Sequence, residues 1–317
     1  MSLAAEPRGV TARVPGKINL ELVVGPRRED GYHEVATVFH AVGVYDHVTV
    51  HASEEWSVQV HGPYADLVPA DGANLALRAA RHLAKVTRVR DRVAISIDKQ
   101  IPVAGGMAGG SADAAGALVA CEALWGLGLT REELIPIASH LGSDVPFLLH
   151  GGTAMGSGRG ERLAPVLARG ELHWVLWVSA DEGLATPLVY AECDRLRGSR
   201  TVAHPEPSGR LLSALRTMDT EAVGVALRND LQDAALSLNP DLRDVLQAGL
   251  DLGADGAVVS GSGPTVAFLV GSPAAAIDLS VGLAARGPQG EIKRAVGPVP
   301  GAHLVSSFTP SDPSRTG

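Results

Sequence analysis

The chain has 317 residues, with 45% hydrophobic and 20% charged content, which fits a globular protein large enough for two domains or for one with a divided core. A net charge of -8 argues against a general binder of nucleic acid or of anionic membrane, and no apolar stretch is long enough to span a bilayer. Aromatic residues make up 4%, so the core must come mainly from Ala, Val and Leu. Cys121 and Cys193 form neither a disulfide framework nor a metal cluster, and no signal-peptide pattern opens the chain, so a reducing cytoplasm is expected.

Residues 1–9 read as a ragged start. Strands are predicted over 10–14 and 20–24, interrupted by Pro15-Gly16-Lys17-Ile18-Asn19-Leu20. Lys17 and Asn19 sit inside this apolar pair, either as solvent-facing groups of an edge strand or as polar groups on one side of a pocket. Residues 25–33 form a charged turn with Asp30-Gly31 at its tip, followed at once by the aromatic pair Tyr32 and His33. Strands over 35–41, 44–51 and 57–61 come next, and Asn74 is a capping candidate for a helix over 75–85.

Residues 92–124 carry the strongest local signal. Val93-Ala94-Ile95-Ser96-Ile97 alternates as a strand, Asp98-Lys99 closes it, and a glycine-dense loop leads into an Ala-rich run that reads as a buried helix beginning at or near Ser111. Two readings fit the loop. It is a tight turn with close helix packing, or it holds phosphates on converging backbone N–H groups at a helix start. The glycines are paired on either side of Met107, more than one turn needs, and Ser111 is placed to cap the helix or to touch a phosphate-bound cation. Gly110-Ser111 lacks the lysine of a Walker A loop, and the glycine spacing does not match a dinucleotide fingerprint. Lys99 is surface charge or a positive group near the nucleotide.

Further on, Thr130 and Glu133 form a capping box. Ser143 or Asp144 caps an element over 143–149 with Pro146 in its first turn, which leaves Asp144 as a cap or as an acid at a site. Residues 151–160 read as a flexible loop or bulged hairpin, 172–179 as a strand, and Thr186-Pro187 as the start of a helix that presents Tyr190. A surface loop over 196–208 precedes helices over 209–216, 220–227, 230–236 and 242–250, the last capped by Asn239 or Asp241. Strands over 257–259 and 265–270 flank Ser260-Gly261-Ser262-Gly263-Pro264. A helix over 272–285, a strand over 303–307 and a polar, disordered tail over 309–317 end the chain. Phosphoryl transfer fits these pieces, because it needs a phosphate cradle, positive charge and an acid at the acceptor hydroxyl. Lys17 and Asp144 are candidates for the last two roles, though sequence spacing alone does not bring them together.

Three ordered motifs, at 15–20, at 102–111 and at 260–264, resemble those of the GHMP small-molecule kinases over nearly the whole chain. Asp30-Gly31-Tyr32-His33 and Leu141-Gly142-Ser143-Asp144-Val145-Pro146-Phe147 resemble the branch that phosphorylates the 2-hydroxyl of a cytidine-diphosphate-linked methylerythritol in the non-mevalonate isoprenoid pathway. The resemblance implies an α+β fold, with a ribosomal-protein-S5-like N-terminal domain (1–170), a ferredoxin-like C-terminal domain (171–308) and a tail (309–317). It implies Asp144 and Lys17 as a catalytic pair. ATP is expected at Asn74, Lys99, Pro102, Gly105, Gly106, Met107, Ala108, Gly109, Gly110 and Ser111, and Mg2+ on the ATP phosphates with Ser111 as its protein contact. The acceptor is expected at Asn19, Tyr32, His33, Thr186, Tyr190, Gly261, Ser262 and Gly263, with Tyr32 and Tyr190 sandwiching the cytosine and His33 bonded to it. Partners are small molecules rather than nucleic acid or membrane, and the chain is expected as a monomer or weak homodimer. Where the family often has a second serine, this chain has Ala112, and Val103-Ala104 also departs from the common pattern. Homoserine, mevalonate or phosphomevalonate as acceptor, and a non-catalytic nucleotide binder, are the competing readings.

Overall fold

The computed structural model describes residues 9–179, 183–286 and 289–305, so the expectations for residues 1–8 and for the tail lie outside the described residues. The chain opens with two long strands, β1 (Val10–Arg27) and β2 (His33–Ser53), joined by the charged turn and paired antiparallel along their length. The predicted interruption at Pro15 is not a break. Pro15 has no N–H to give the ladder, and the strand answers with a register shift between Pro15 and Gly16 and another between Asn19 and Glu21. These irregularities bracket Lys17 and Asn19. The two strands predicted over 35–41 and 44–51 are likewise one strand.

Next come β3 (Ser57–His61), α1 (Leu75–Thr87), β4 (Arg92–Asp98), α2 (Gly109–Trp125), α3 (Arg131–Ser139) and α4 (Val145–His150). The stretch expected as a flexible loop or bulged hairpin folds as β5 (Thr153–Ser157), turning back into β6 (Arg162–Pro165). In the first sheet the order is β3-β4-β2-β1, with β5 also paired to β2. Helix α2 lies against β1 and β2 and is lined with Ala and Gly. A Cβ at Gly116 would stand 2.7 Å from methyls of Val14 and Val48, so small residues let the helix sit this close to the sheet.

The second sheet contains β7 (Leu172–Ser179), and the helices α5 (Thr186–Arg197), α6 (Gly209–Thr217) and α7 (Thr220–Ala226) follow it. The short β8 (Arg228–Asn229) returns to pair parallel with β1 of the first sheet. Then come α8 (Gln232–Leu238), α9 (Asp241–Asp251), β9 (Gly256–Val259), β10 (Val266–Val270), α10 (Pro273–Arg286), β11 (Gly290–Gly297) and β12 (His303–Val305). The order β11-β7-β10-β9 makes an antiparallel sheet, while β12 closes on β1. Side chains on β7 alternate between two cores: Leu172, Trp174 and Leu176 join the core of the first sheet, whereas Val175 and Trp177 face the core shared with α5 and α8–α10. Burial on both faces explains why β7 and β10 are nearly continuous apolar runs. Pro240 occupies the cap position of α9 with no side-chain cap, so neither Asn239 nor Asp241 does the expected capping.

One charged cluster lies inside the first core. Lys99, fully buried at the end of β4, donates to Asp46 Oδ2 of β2 at 2.6 Å and to Asp113 Oδ2 of α2 at 2.8 Å. Asp46 Oδ1 accepts the backbone N–H groups of Gln100 and Ile101 at 2.7 and 2.8 Å, so this residue pins the chain entering the glycine loop. Among the described residues Asp113 Oδ1 has no partner. Burial, aided by the Asp46 charge, pushes the Asp113 carboxyl up to about 8 even though Lys99 pulls it down. Burial and the Asp46 charge thus make Asp113 hold its proton more tightly than a free carboxyl does. Folded Asp113 keeps its proton to about pH 8, while the unfolded chain releases it near the usual carboxylate value, so this group erodes stability as pH rises between those points. Asp113→Asn should gain on wild type from pH 5 to pH 8 by on the order of 1 kcal/mol per pH unit, read by urea denaturation at each pH; a pH-independent difference would contradict the assignment.

Candidate active site

Between β4 and α2 the chain makes the glycine loop. Ala104 and Ala108 both hold left-handed backbone (φ 52° and 58°), a conformation that costs a residue with a Cβ about 1–3 kcal/mol. Ala108 is the cap residue of α2 and supplies no side-chain acceptor. Ser111 is therefore not the cap, as its sequence position suggested, but a first-turn residue of a helix that begins at Gly109. Ala112 N donates the first intrahelical bond, to Ala108 O at 2.9 Å. The N–H groups at the helix start are left without a capping side chain, and Gly109, Gly110 and Ser111 line a cavity of about 320 Å3. Such N–H groups are ready donors for phosphate oxygens. Ala112, where the family often has a second serine, is fully buried and does not line this cavity.

Across that cavity stands Lys17. The residue is 5% exposed, and its ammonium donates to Asn19 Oδ1 at 2.7 Å and to Gly106 O at 2.9 Å. A lysine has three N–H donors, so one remains for the cavity. Asn19 is fixed in turn, because its Nδ2 donates to Thr37 Oγ1 at 2.7 Å and that hydroxyl donates to Glu21 O at 2.6 Å. Gly106 O also accepts the Ser260 hydroxyl at 3.0 Å, which ties the glycine loop to the turn between β9 and β10. Gly261 in that turn has φ 55°, and a Cβ there would lie 3.3 Å from Lys17 Nζ and 3.4 Å from Asn19 Oδ1. Glycine suits both the backbone conformation and the closeness of the ammonium. Asn229 holds the turn from behind, donating to Val259 O and Gly261 O, both at 2.7 Å.

Asp144 lines the same cavity at the start of α4 and makes no capping bond, so its carboxylate is not spent on the helix. No ion pair within 4.0 Å joins it to Lys17. The expected direct pairing is replaced by the lysine's bonds to Asn19 and Gly106, and Asp144 acts on it through space. Burial lowers the proton affinity of Lys17, and the Asp144 charge opposes that shift.

A larger cavity of about 1210 Å3 adjoins the first, lined by Tyr32, His33, Thr186 and Tyr190 among others. His33 and Tyr190 have ring centroids 5.1 Å apart, and His33 Nε2 is 2.9 Å from Asp194 Oδ1. Tyr32 is 58% exposed at the turn. Thr186 and Ser262 hydroxyls meet at 2.9 Å across the cleft.

The structure thus gathers Lys17, Asn19, Asp144, Gly105, Gly106, Ala108, Gly109, Gly110, Ser111, Thr186, Tyr190, Gly261 and Ser262 around one cavity, with Tyr32 and His33 in the next. Five expected contacts fall elsewhere. Lys99 is enclosed by its two aspartates, and its Nζ would be 2.9 Å from a Cβ at Gly109, so it props the loop from beneath. Asn74 is occupied as a cap, accepting from Ala76 N and Leu77 N while donating to Pro69 O. Pro102 and Met107 are buried under the loop, and Gly263 turns away, donating to Ser260 O at 2.8 Å. Thr37, Asn229 and Arg159 were not singled out by sequence reasoning, and Ser143 was read only as a cap. Arg159 alone had a signal, as the one charge in the run from Gly151 to Gly160.

The sequence matches the GHMP kinases N terminal domain over residues 74–152 and the GHMP kinases C terminal domain over residues 211–289. It is 54% identical over 301 residues to 4-diphosphocytidyl-2-C-methyl-D-erythritol kinase of Mycolicibacterium smegmatis, covering 93% of this chain and 92% of that one. The chain belongs to the GHMP kinase family. The Rhodococcus jostii kinase of the same name is 52% identical, covering 96% of this chain and 97% of its own. A crystal structure of 4-(cytidine 5'-diphospho)-2C-methyl-D-erythritol kinase superposes with a TM-score of 0.72 at 32% identity, covering 90% of this kinase and 98% of that chain. The mixed α+β architecture is that of the GHMP kinases.

Proposed function

We infer that this kinase transfers the γ-phosphoryl group of ATP to the 2-hydroxyl of 4-diphosphocytidyl-2-C-methyl-D-erythritol, giving the 2-phosphate and ADP. The observation that carries the reading is the junction of two cavities, one walled by the glycine loop and α2, the other by Tyr32, His33 and Tyr190, with Lys17 and Asp144 at the first. A nucleoside triphosphate suits the first wall, and an acceptor ending in a flat, hydrogen-bonding ring suits the second.

The acceptor oxygen forms its bond to the γ-phosphorus as the bond to the β,γ-bridging oxygen breaks, and the bridging electrons leave with ADP. Asp144 takes the hydroxyl proton or orients it. The remaining N–H of Lys17 faces the charge on the moving phosphoryl group, with the other two held by Asn19 and Gly106. N–H groups of Gly109, Gly110 and Ser111 hold the donor phosphates. The Ser111 hydroxyl lines the cavity in the first turn of α2, beside the N–H groups suited to phosphates, and would be the protein contact of an Mg2+ ion carried by the ATP phosphates. Bound there, Mg2+ supplies charge neutralisation.

ADP release with ATP, Mg2+ and a panel of acceptors tests the reading. Turnover is expected with the cytidylyl polyol, and turnover with homoserine or mevalonate alone would overturn it. Asp144→Asn should lower kcat by about 10²–10⁴-fold while KM for ATP moves little. A near-wild-type kcat would remove Asp144 from the chemistry.

A further inference from the structure

Five residues line both cavities: Val35, Ser143, Arg159, Thr186 and Tyr190. Arg159 is the one among them that carries a charge. If the cytosine end of the acceptor lies by Tyr32 and its reacting hydroxyl by Asp144, the diphosphate between them crosses this junction. We propose that Arg159 binds the acceptor's diphosphate, an inference that rests on the function proposed above.

The surroundings of Arg159 suit that role. Its Cζ lies 5.2 Å from the centroid of the Tyr32 ring, which aims the guanidinium beside the exposed aromatic wall. Glu161, the carboxylate next to it, accepts the Arg159 backbone N–H at 2.7 Å, while its distance to the guanidinium Nε is 3.9 Å. The acid is thus engaged mainly by the backbone, and the guanidinium keeps its donors for an anion. The side chain is 37% exposed, and the loop that carries it is anchored where Val35 N donates to Gly158 O at 2.8 Å. A planar fork of N–H donors matches two neighbouring phosphate oxygens. Arg27 lines only the larger cavity and Lys17 only the smaller, so neither spans the same gap.

The contact with Tyr32 gives Arg159 a competing purpose, that of bracing the ring. Calorimetric titration of cytidine and of cytidine 5'-diphosphate into wild type, Arg159→Met and Arg159→Lys separates the two. Wild type should bind the diphosphate more tightly than the nucleoside. Arg159→Met should weaken diphosphate binding by roughly 10–100-fold and cytidine by less than about 3-fold. KM for the full acceptor should rise in step, with KM for ATP unchanged, and Arg159→Lys should recover part of the loss as a point charge. Equal weakening of cytidine and its diphosphate would overturn the proposal in favour of ring bracing. A rise in KM for ATP alone would overturn it in favour of a contact with the donor. Wild type that binds no cytidine would remove the cytosine reading itself, and this assignment with it.

Discussion

Lys17 makes the interaction on which the site depends. Its ammonium lies between Asn19 of the same strand and the carbonyl of Gly106, 89 residues further along. Burying an ammonium is costly unless its donors are engaged, and here two of three are engaged by neutral oxygens. Asp144 supplies the nearby negative charge without quenching the ammonium in a contact pair. Burial works against the charge on this lysine and Asp144 works for it, while the two hydrogen bonds fix where the side chain points, as a group must be fixed to stabilise a charge that is still forming.

Each of the other motifs bears on this point. Irregular pairing between Pro15 and Glu21 lets two polar side chains leave an apolar strand without disrupting the sheet. The Ser260–Gly261 turn meets both Gly106 and Lys17, so the turn from the second sheet completes the wall begun by the first. Helix α2 can bring its start to the cavity because it is lined with Ala and Gly and lies close to β1 and β2. The Lys99 cluster beneath Gly109 fixes where that start lies. Strand β8, paired to β1, carries Asn229 to the back of the same turn.

Much of this was legible in the sequence. Strand periodicity located β3, β4, β7, β9 and β10, the Thr130–Glu133 capping box located α3, and three glycine or lysine motifs marked the cleft. What sequence could not supply was how polar groups are satisfied. Lys99 follows a strand on a polar dipeptide and reads as surface charge or as a ligand for nucleotide. Only the fold shows Asp46 and Asp113 closing around it from residues 53 and 14 positions away. Ser111 fits a cap by residue type, but Ala108 takes the left-handed turn first and starts the helix three residues earlier than Ser111 predicts. Asp144 fits a cap equally well and does not act as one. Arg159 was passed over because a charge in a glycine-rich loop looks like solvated surface until the β5–β6 turn is seen to face the cleft.

The most direct test of the account is the rate of the chemical step in Lys17→Met, measured in a single turnover with ATP and acceptor both saturating. Methionine keeps much of the buried stem and removes the charge. Phosphoryl transfer should slow by about 10²–10³-fold or more while both ligands still bind. A chemical step at the wild-type rate would contradict the claim that the Lys17 ammonium stabilises the moving phosphoryl group.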